Sequence, residues 1–232
     1  MKINILREIV YKANVDLVKY GLVNWTTGNV SGRDPDSGLV VIKPSGLMFE
    51  DLTPENMVTV DLQGKILDAD YGASTDTFSH LYIYKNRPDV MGVVHTHSNY
   101  ATAFAAVGKP IPVYLTTIAD EFGGEIPCGK YCRIGSDEVG KEIINTIGKS
   151  PAILMKQHGV YTLGATVEKA FKIAVMVEDV AKTVWLAKHI GELETLPQEE
   201  IEANFERNQK RYGTFEASSG LSSDIPNLTN KK

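Results

Sequence analysis

The spacing of apolar and polar residues divides the chain into helices, short strands and turns. Residues 3–20 repeat apolar side chains at helical spacing, with Ile5, Ile9, Ala13 and Leu17 on one face, and Gly21 closes the helix. A small-residue loop follows, Thr26-Thr27-Gly28-Asn29-Val30-Ser31-Gly32. Residues 39–42 read as a strand that ends in the turn Lys43-Pro44-Ser45-Gly46. Two short strands flank Gln63-Gly64 as a hairpin. Residues 75–86 read as a helix, with Thr75 as its N-cap and Asp76 in its first turn. The apolar run Val90-Met91-Gly92-Val93-Val94 reads as a buried strand leading into His95-Thr96-His97. A helix over 98–107 comes next, then an extended piece near 113–115 bounded by Pro110 and Pro112. A loop carries Asp120-Glu121-Phe122-Gly123-Gly124. A helix over 136–147, capped by Ser136, precedes the apolar run Ala152-Ile153-Leu154-Met155, which enters Lys156-Gln157-His158-Gly159. A strand over 160–163 and helices over 166–190 and 198–211 complete the pattern. Strands and helices mix without strict alternation, which predicts a sheet layered with helices.

Composition narrows the function. The chain has 232 residues, 43% of them apolar, which suits one large domain. A net charge of −5 with no basic block excludes nucleic acid as the main partner. No apolar run is long enough to cross a bilayer and the start lacks a signal-peptide pattern, so a cytoplasmic protein without membrane contact is expected. Cys128 and Cys132 flank Gly-Lys-Tyr. That spacing is neither a redox pair nor half of a four-thiolate zinc site, so both are expected as free thiols.

The histidines carry the chemistry. Residues i and i+2 of a strand share a face, so His95 and His97 emerge together where a core strand meets the surface. His158, after a second apolar run, supplies a third imidazole. Three imidazoles with one open position are the protein half of a catalytic zinc site. A single histidine at a strand end reads as structural; the pair and its third member change that reading. Of the other two histidines, His189 lies near the C-terminus of a long helix, where the dipole accounts for it. His80 reads as a packing residue or as one that supports the ligands. Three turns, at Gly28-Asn29, Ser45-Gly46 and Ser74-Thr75, offer N–H groups, hydroxyls and an amide, and Lys43 adds charge. Each alone is an ordinary turn, but beside a metal they point to a phosphorylated substrate. Asp76 and Asp120 are the acids of interest, although Asp120 taken alone reads as a solvated loop acid.

His95-Thr96-His97, Gln157-His158-Gly159, Thr27-Gly28-Asn29-Val30-Ser31, Ile42-Lys43-Pro44-Ser45-Gly46 and Ile126-Pro127-Cys128 together resemble the class II aldolase/adducin superfamily. The resemblance runs from about Leu6 to Tyr212. It implies an α/β fold of three layers, α/β/α, around a mainly antiparallel sheet. It also implies one catalytic domain over 1–213 and a homotetramer with sites between subunits, while the polar composition of 214–232 predicts a flexible tail. Zn2+, or another divalent cation such as Mn2+ or Co2+, is then expected on His95, His97 and His158, with Asp76 either a ligand or a neighbour of the ligands. The phosphate of a ketopentose is expected on Gly28, Asn29, Lys43, Ser45, Gly46, Ser74 and Thr75.

Two positions are similar to the 4-epimerase branch, which interconverts L-ribulose 5-phosphate and D-xylulose 5-phosphate by breaking and re-forming C3–C4. Asp76 stands where the fuculose-phosphate aldolase branch resembles glutamate, and Asp120 where that branch has a small apolar residue. Asp120 and Tyr212 are then the acid/base pair. Tyr212, in Lys210-Arg211-Tyr212-Gly213, resembles the C-terminal tyrosine that the family places in a neighbouring subunit's site. Thr117-Ile118-Ala119-Asp120 departs from the epimerases' Thr-His-Ala-Asp, the segment after Pro127 is shorter than theirs, and the chain runs on beyond Gly213. An aldolase that cleaves a sugar phosphate is the alternative. An adducin-type binding protein would be expected to have lost the histidines.

Overall fold

A computed structural model describes residues 2–68 and 70–211; Tyr212 and the tail over 214–232 lie outside the described residues. The chain runs α1 (Ile3–Lys19), β1 (Asn29–Arg33), β2 (Val40–Ile42), β3 (Val58–Val60), β4 (Ile66–Asp68), α2 (Thr77–Asn86), β5 (Gly92–Thr96), α3 (Asn99–Val107), α4 (Thr116–Phe122), β6 (Cys128–Gly129), α5 (Glu138–Thr146), β7 (Ala152–Met155), β8 (Gly159–Gly164), α6 (Val167–Lys188) and α7 (Gln198–Arg211). Among the described residues the strands form one eight-stranded sheet in the order β4-β3-β2-β1-β5-β8-β7-β6. Every neighbouring pair is antiparallel except β6–β7.

Both faces of the sheet are buried, which explains why its strands read as apolar runs rather than alternations. Val40, Ile42, Val93, Ile153, Tyr161 and Leu163 point to one face and pack with α2 and α5. Val30, Val41 and Val94 point to the other and pack with α1 and the start of α6. Ala152, Leu154 and Val160 share a cluster with α3, α4, α6 and α7. The α/β/α layering and mainly antiparallel sheet match the expected class. Burying each large side chain contributes roughly 1.5–3 kcal/mol, so β5 is anchored from both sides by Val93 and Val94.

Three details differ from expectation. The inward face of α1 keeps Ala13 and Leu17 as expected but carries Leu6 and Val10 in place of Ile5 and Ile9, and Ile5 is 52% exposed. The small-residue loop gives way at Asn29 to β1, which is buried along its whole length between β2 and β5. Asp120 lies on the helix α4 rather than in a loop, and Gly123 ends that helix at φ +67°. Cys128 and Cys132 are free, as expected. No described helix is long and apolar enough to cross a membrane.

Candidate metal centre and substrate cavity

Antiparallel pairing brings distant segments to one edge of the sheet. β1 starts where β2 and β5 end, and β8 starts beside the end of β5. Asn29, His95 and Tyr161 therefore form one row across β1, β5 and β8. His97 follows β5 and His158 precedes β8, so the three expected imidazoles converge. Their ligand atoms all lie within 4.8 Å of one another. His95 Nε2 and His97 Nε2 face each other at 2.9 Å. Nitrogen ligands around tetrahedral zinc stand about 3.3 Å apart, so the triad fits a divalent ion after small shifts.

The tautomer fits as well. His95 Nδ1 donates to the Val160 carbonyl at 2.9 Å, which leaves Nε2 bare and aimed at His97. The His95 ring stacks on Tyr161, centroids 4.2 Å apart. His158 Nδ1 is buried without a hydrogen-bond partner, an orphaned atom that a metal centre would account for. Burial lowers the pKa of His95, His97 and His158, which keeps them neutral and able to ligate. Gly159 is required next to His158, because a Cβ there would meet the Thr96 carbonyl at 2.5 Å and crowd both other rings.

Asp76 lines the same cavity but is not one of the three clustered ligands. It replaces Thr75 as the N-cap of α2 and makes no side-chain capping bond. Its carboxylate instead accepts from Asn29 Nδ2 at 2.7 Å and from the Tyr161 hydroxyl at 3.4 Å. Burial works to raise Asp76, but His95, His80, Asn29 and His158 together hold it below the usual carboxylate range.

All the turn residues expected at a phosphate lie around this cavity of about 340 Å³: Gly28, Asn29, Lys43, Ser45, Gly46, Ser74 and Thr75. The turns are knitted together. Ser45 N–H donates to the Gly72 carbonyl, Ser74 N–H to the Lys43 carbonyl, and Asn29 Nδ2 to Ser74 Oγ. Gly28 sits at φ +75°, and a Cβ there would meet the His95 carbonyl at 2.8 Å. Lys43 has contacts within the fold as well. Its ammonium is buried, donates to the Leu47 carbonyl at 2.7 Å and lies 4.9 Å from the Phe49 ring centroid. Burial pushes it down to about 8.

Asp120 is not among the residues lining this cavity. It sits on α4 against α7, where Asn208 Nδ2 donates to its carbonyl at 2.6 Å and the Arg207 guanidinium lies 3.6 Å from Oδ1. Two residues escaped sequence reasoning. Tyr161 carried a signal, since it pairs with His95 once β5 and β8 are recognised as neighbours. Ile134, 63% exposed at the cavity wall, carried none beyond being apolar in a polar loop.

His80 supports the floor of the site. It is fully buried, and its Nδ1 meets Ser31 Oγ at 2.7 Å, which in turn meets the Tyr84 hydroxyl at 2.8 Å. Burial pushes His80 down to about 4, against the pull of Asp76. In the unfolded chain His80 takes up a proton below about 6.5, whereas the folded chain resists until about 4. The stability this contributes is complete above pH 6.5 and is lost as pH falls towards 4. Urea denaturation with chelator present is therefore expected to show a falling midpoint between pH 7 and 5. A flat profile would contradict the buried neutral imidazole.

Comparison with known proteins agrees with this geometry. The family model described as Class II Aldolase and Adducin N-terminal domain matches residues 8–185. The chain is 44% identical over 199 residues to "L-ribulose-5-phosphate 4-epimerase UlaF" of Salmonella paratyphi C (strain RKS4594), covering 80% of this chain and 86% of that relative. A solved L-fuculose 1-phosphate aldolase superposes with a TM-score of 0.81 at 29% identity, over 88% of this chain and 96% of its own. YgbL from Escherichia coli, titled a putative aldolase/epimerase/decarboxylase, shares the fold at a TM-score of 0.78 and 24% identity, over 88% and 99% of the two chains. With the matched segment running from α1 to the last turn of α6, and so spanning all eight strands and the three histidines, the chain belongs to the class II aldolase and adducin family.

Proposed function

We propose that this chain is a cytoplasmic, divalent-metal-dependent 4-epimerase that interconverts L-ribulose 5-phosphate and D-xylulose 5-phosphate. The observation that carries the reading is one cavity lined both by three converging histidines and by three knitted small-residue turns. The 44% identity to a relative named for this reaction supports the choice of substrate. His95, His97 and His158 would hold the ion, zinc by its preference for imidazole, with Asp76 beside them. A cation held there supplies Lewis-acid stabilisation of negative charge on the substrate's oxygens, about 3–6 kcal/mol of the barrier.

C4 of a ketopentose phosphate is not next to the carbonyl, so direct deprotonation does not invert it. Breaking C3–C4, turning the aldehyde and re-forming the bond on its other face does. The turns at Gly28-Asn29, Ser45-Gly46 and Ser74-Thr75 retain the aldehyde by its phosphate while it turns. The C4 hydroxyl lies on opposite sides in the two epimers, so a proton-transfer group is needed on each side. Asp120 and Tyr212 take these roles. Since Asp120 lies outside the cavity of its own chain, it acts in this reading at a neighbouring subunit's site, within a homotetramer.

The aldolase reading has one observation in its favour, the superposition on an L-fuculose 1-phosphate aldolase. Incubation with L-ribulose 5-phosphate and, separately, L-fuculose 1-phosphate, each with a trap for free aldehyde, distinguishes the two. The proposal expects D-xylulose 5-phosphate without trapped aldehyde. Release of aldehyde from fuculose phosphate at the faster rate would overturn it.

A further inference from the structure

Helix α3 begins two residues after His97, and its own cap residue does not serve it. Ser98 stands at the N-cap, yet its side chain makes no bond to the helix and its Oγ is buried without a partner. The first N–H groups of a helix need acceptors from outside the helix. Here they come from α6. Glu178 Oε1 accepts from Tyr100 N–H at 3.0 Å, and Oε2 accepts from Ala101 N–H at 2.9 Å. Both carboxylate oxygens are thus used on one helix turn, and the negative charge sits at the positive end of the helix dipole. Glu178 lies midway along the 22-residue α6, flanked by the buried Val177 and Val180, so its backbone is fixed by the core.

His97 needs such support. The ladder between β5 and β8 ends at Thr96 opposite Val160, so His97 lies beyond the last paired residue. On one side of it the sheet holds the backbone; on the other the start of α3 does. We propose that Glu178 is a positioning residue that fixes the corner between β5 and α3 and thereby holds the His97 imidazole opposite His95. The proposal rests on the reading that the three histidines hold a divalent ion. Support of this kind is worth roughly 10–100-fold in metal affinity where outer partners of ligands have been altered.

The test is Co2+ affinity, measured by competition with a chromophoric chelator, in four proteins: wild type, Glu178→Ala, His97→Asn and the double variant. Glu178→Ala is expected to weaken Co2+ binding about 10–100-fold. In the His97→Asn background the same change is expected to do little more, because its effect runs through His97. Glu178→Gln, which keeps the length and one acceptor oxygen, is expected to fall between wild type and Glu178→Ala, and it serves if the alanine variant does not fold. Unchanged affinity in Glu178→Gln and Glu178→Ala overturns the proposal, and so does an equal loss in both backgrounds, since a general loosening would produce that. Wild-type protein that binds no Co2+ overturns the metal reading itself and this proposal with it.

Discussion

His97→Asn is expected to weaken binding so far that dialysis strips the ion, leaving only the weak Co2+ affinity of two imidazoles at high concentration, and to lower turnover by about 10²–10⁴-fold. The figure follows from the roughly 3–6 kcal/mol assigned to charge stabilisation, at 1.36 kcal/mol per tenfold. His97 Nε2 stands 2.9 Å from His95 Nε2, and the shorter asparagine side chain cannot place a nitrogen at that point. The remaining pair, His95 and His158, leaves too few ligands for tight binding. His97 is half-buried at the cavity rather than packed in the core, so the variant is expected to fold normally. Metal content after dialysis, read together with turnover, checks this. A metal-free variant that still turns over would refute the site.

Asp120→Asn is expected to keep the ion and lose about 10²–10⁴-fold in epimerisation, the contribution of one positioned acid or base. Its location makes a sharper experiment possible. Asp120 is held on α4 by Asn208 and Arg207, away from the cavity of its own chain. His97→Asn and Asp120→Asn subunits, each inactive alone, are therefore expected to regain activity when unfolded and refolded together. A mixed site can then combine an intact triad from one subunit with an intact Asp120 from its neighbour. Mixed oligomers that form and stay inactive would place Asp120 outside the mechanism.

The parts of this site legible in the sequence are those set by local periodicity. Val93 and Val94 are buried on opposite faces, and that double burial is what makes residues 90–94 an unbroken apolar run. The two-residue repeat of a strand put His95 and His97 on one face. The turn at Gln63-Gly64 and the helix over 198–211 were equally local. Other features depend on partners distant in sequence. Two stripes of α1 have helical spacing, and the contact with β1 and β2 decides that Leu6 and Val10, not Ile5 and Ile9, turn inward. Asn29 belongs to a strand because it pairs with His95 of β5, against the turn preference of its small neighbours. Gly123-Gly124 suggested a loop around Asp120, whereas Gly123 only ends a seven-residue helix that α7 clamps. Nothing local announced that Lys43, which lines the cavity, also meets the Leu47 carbonyl and the Phe49 ring. The grip of Glu178 on Tyr100 spans 78 residues and leaves no pattern to read.

The measurement that tests the account most directly is conversion of L-ribulose 5-phosphate by metal-loaded protein, by the same protein stripped with chelator, and after Zn2+ is restored. The account predicts D-xylulose 5-phosphate in the first and third samples and none in the second. Equal conversion by the stripped protein would contradict it.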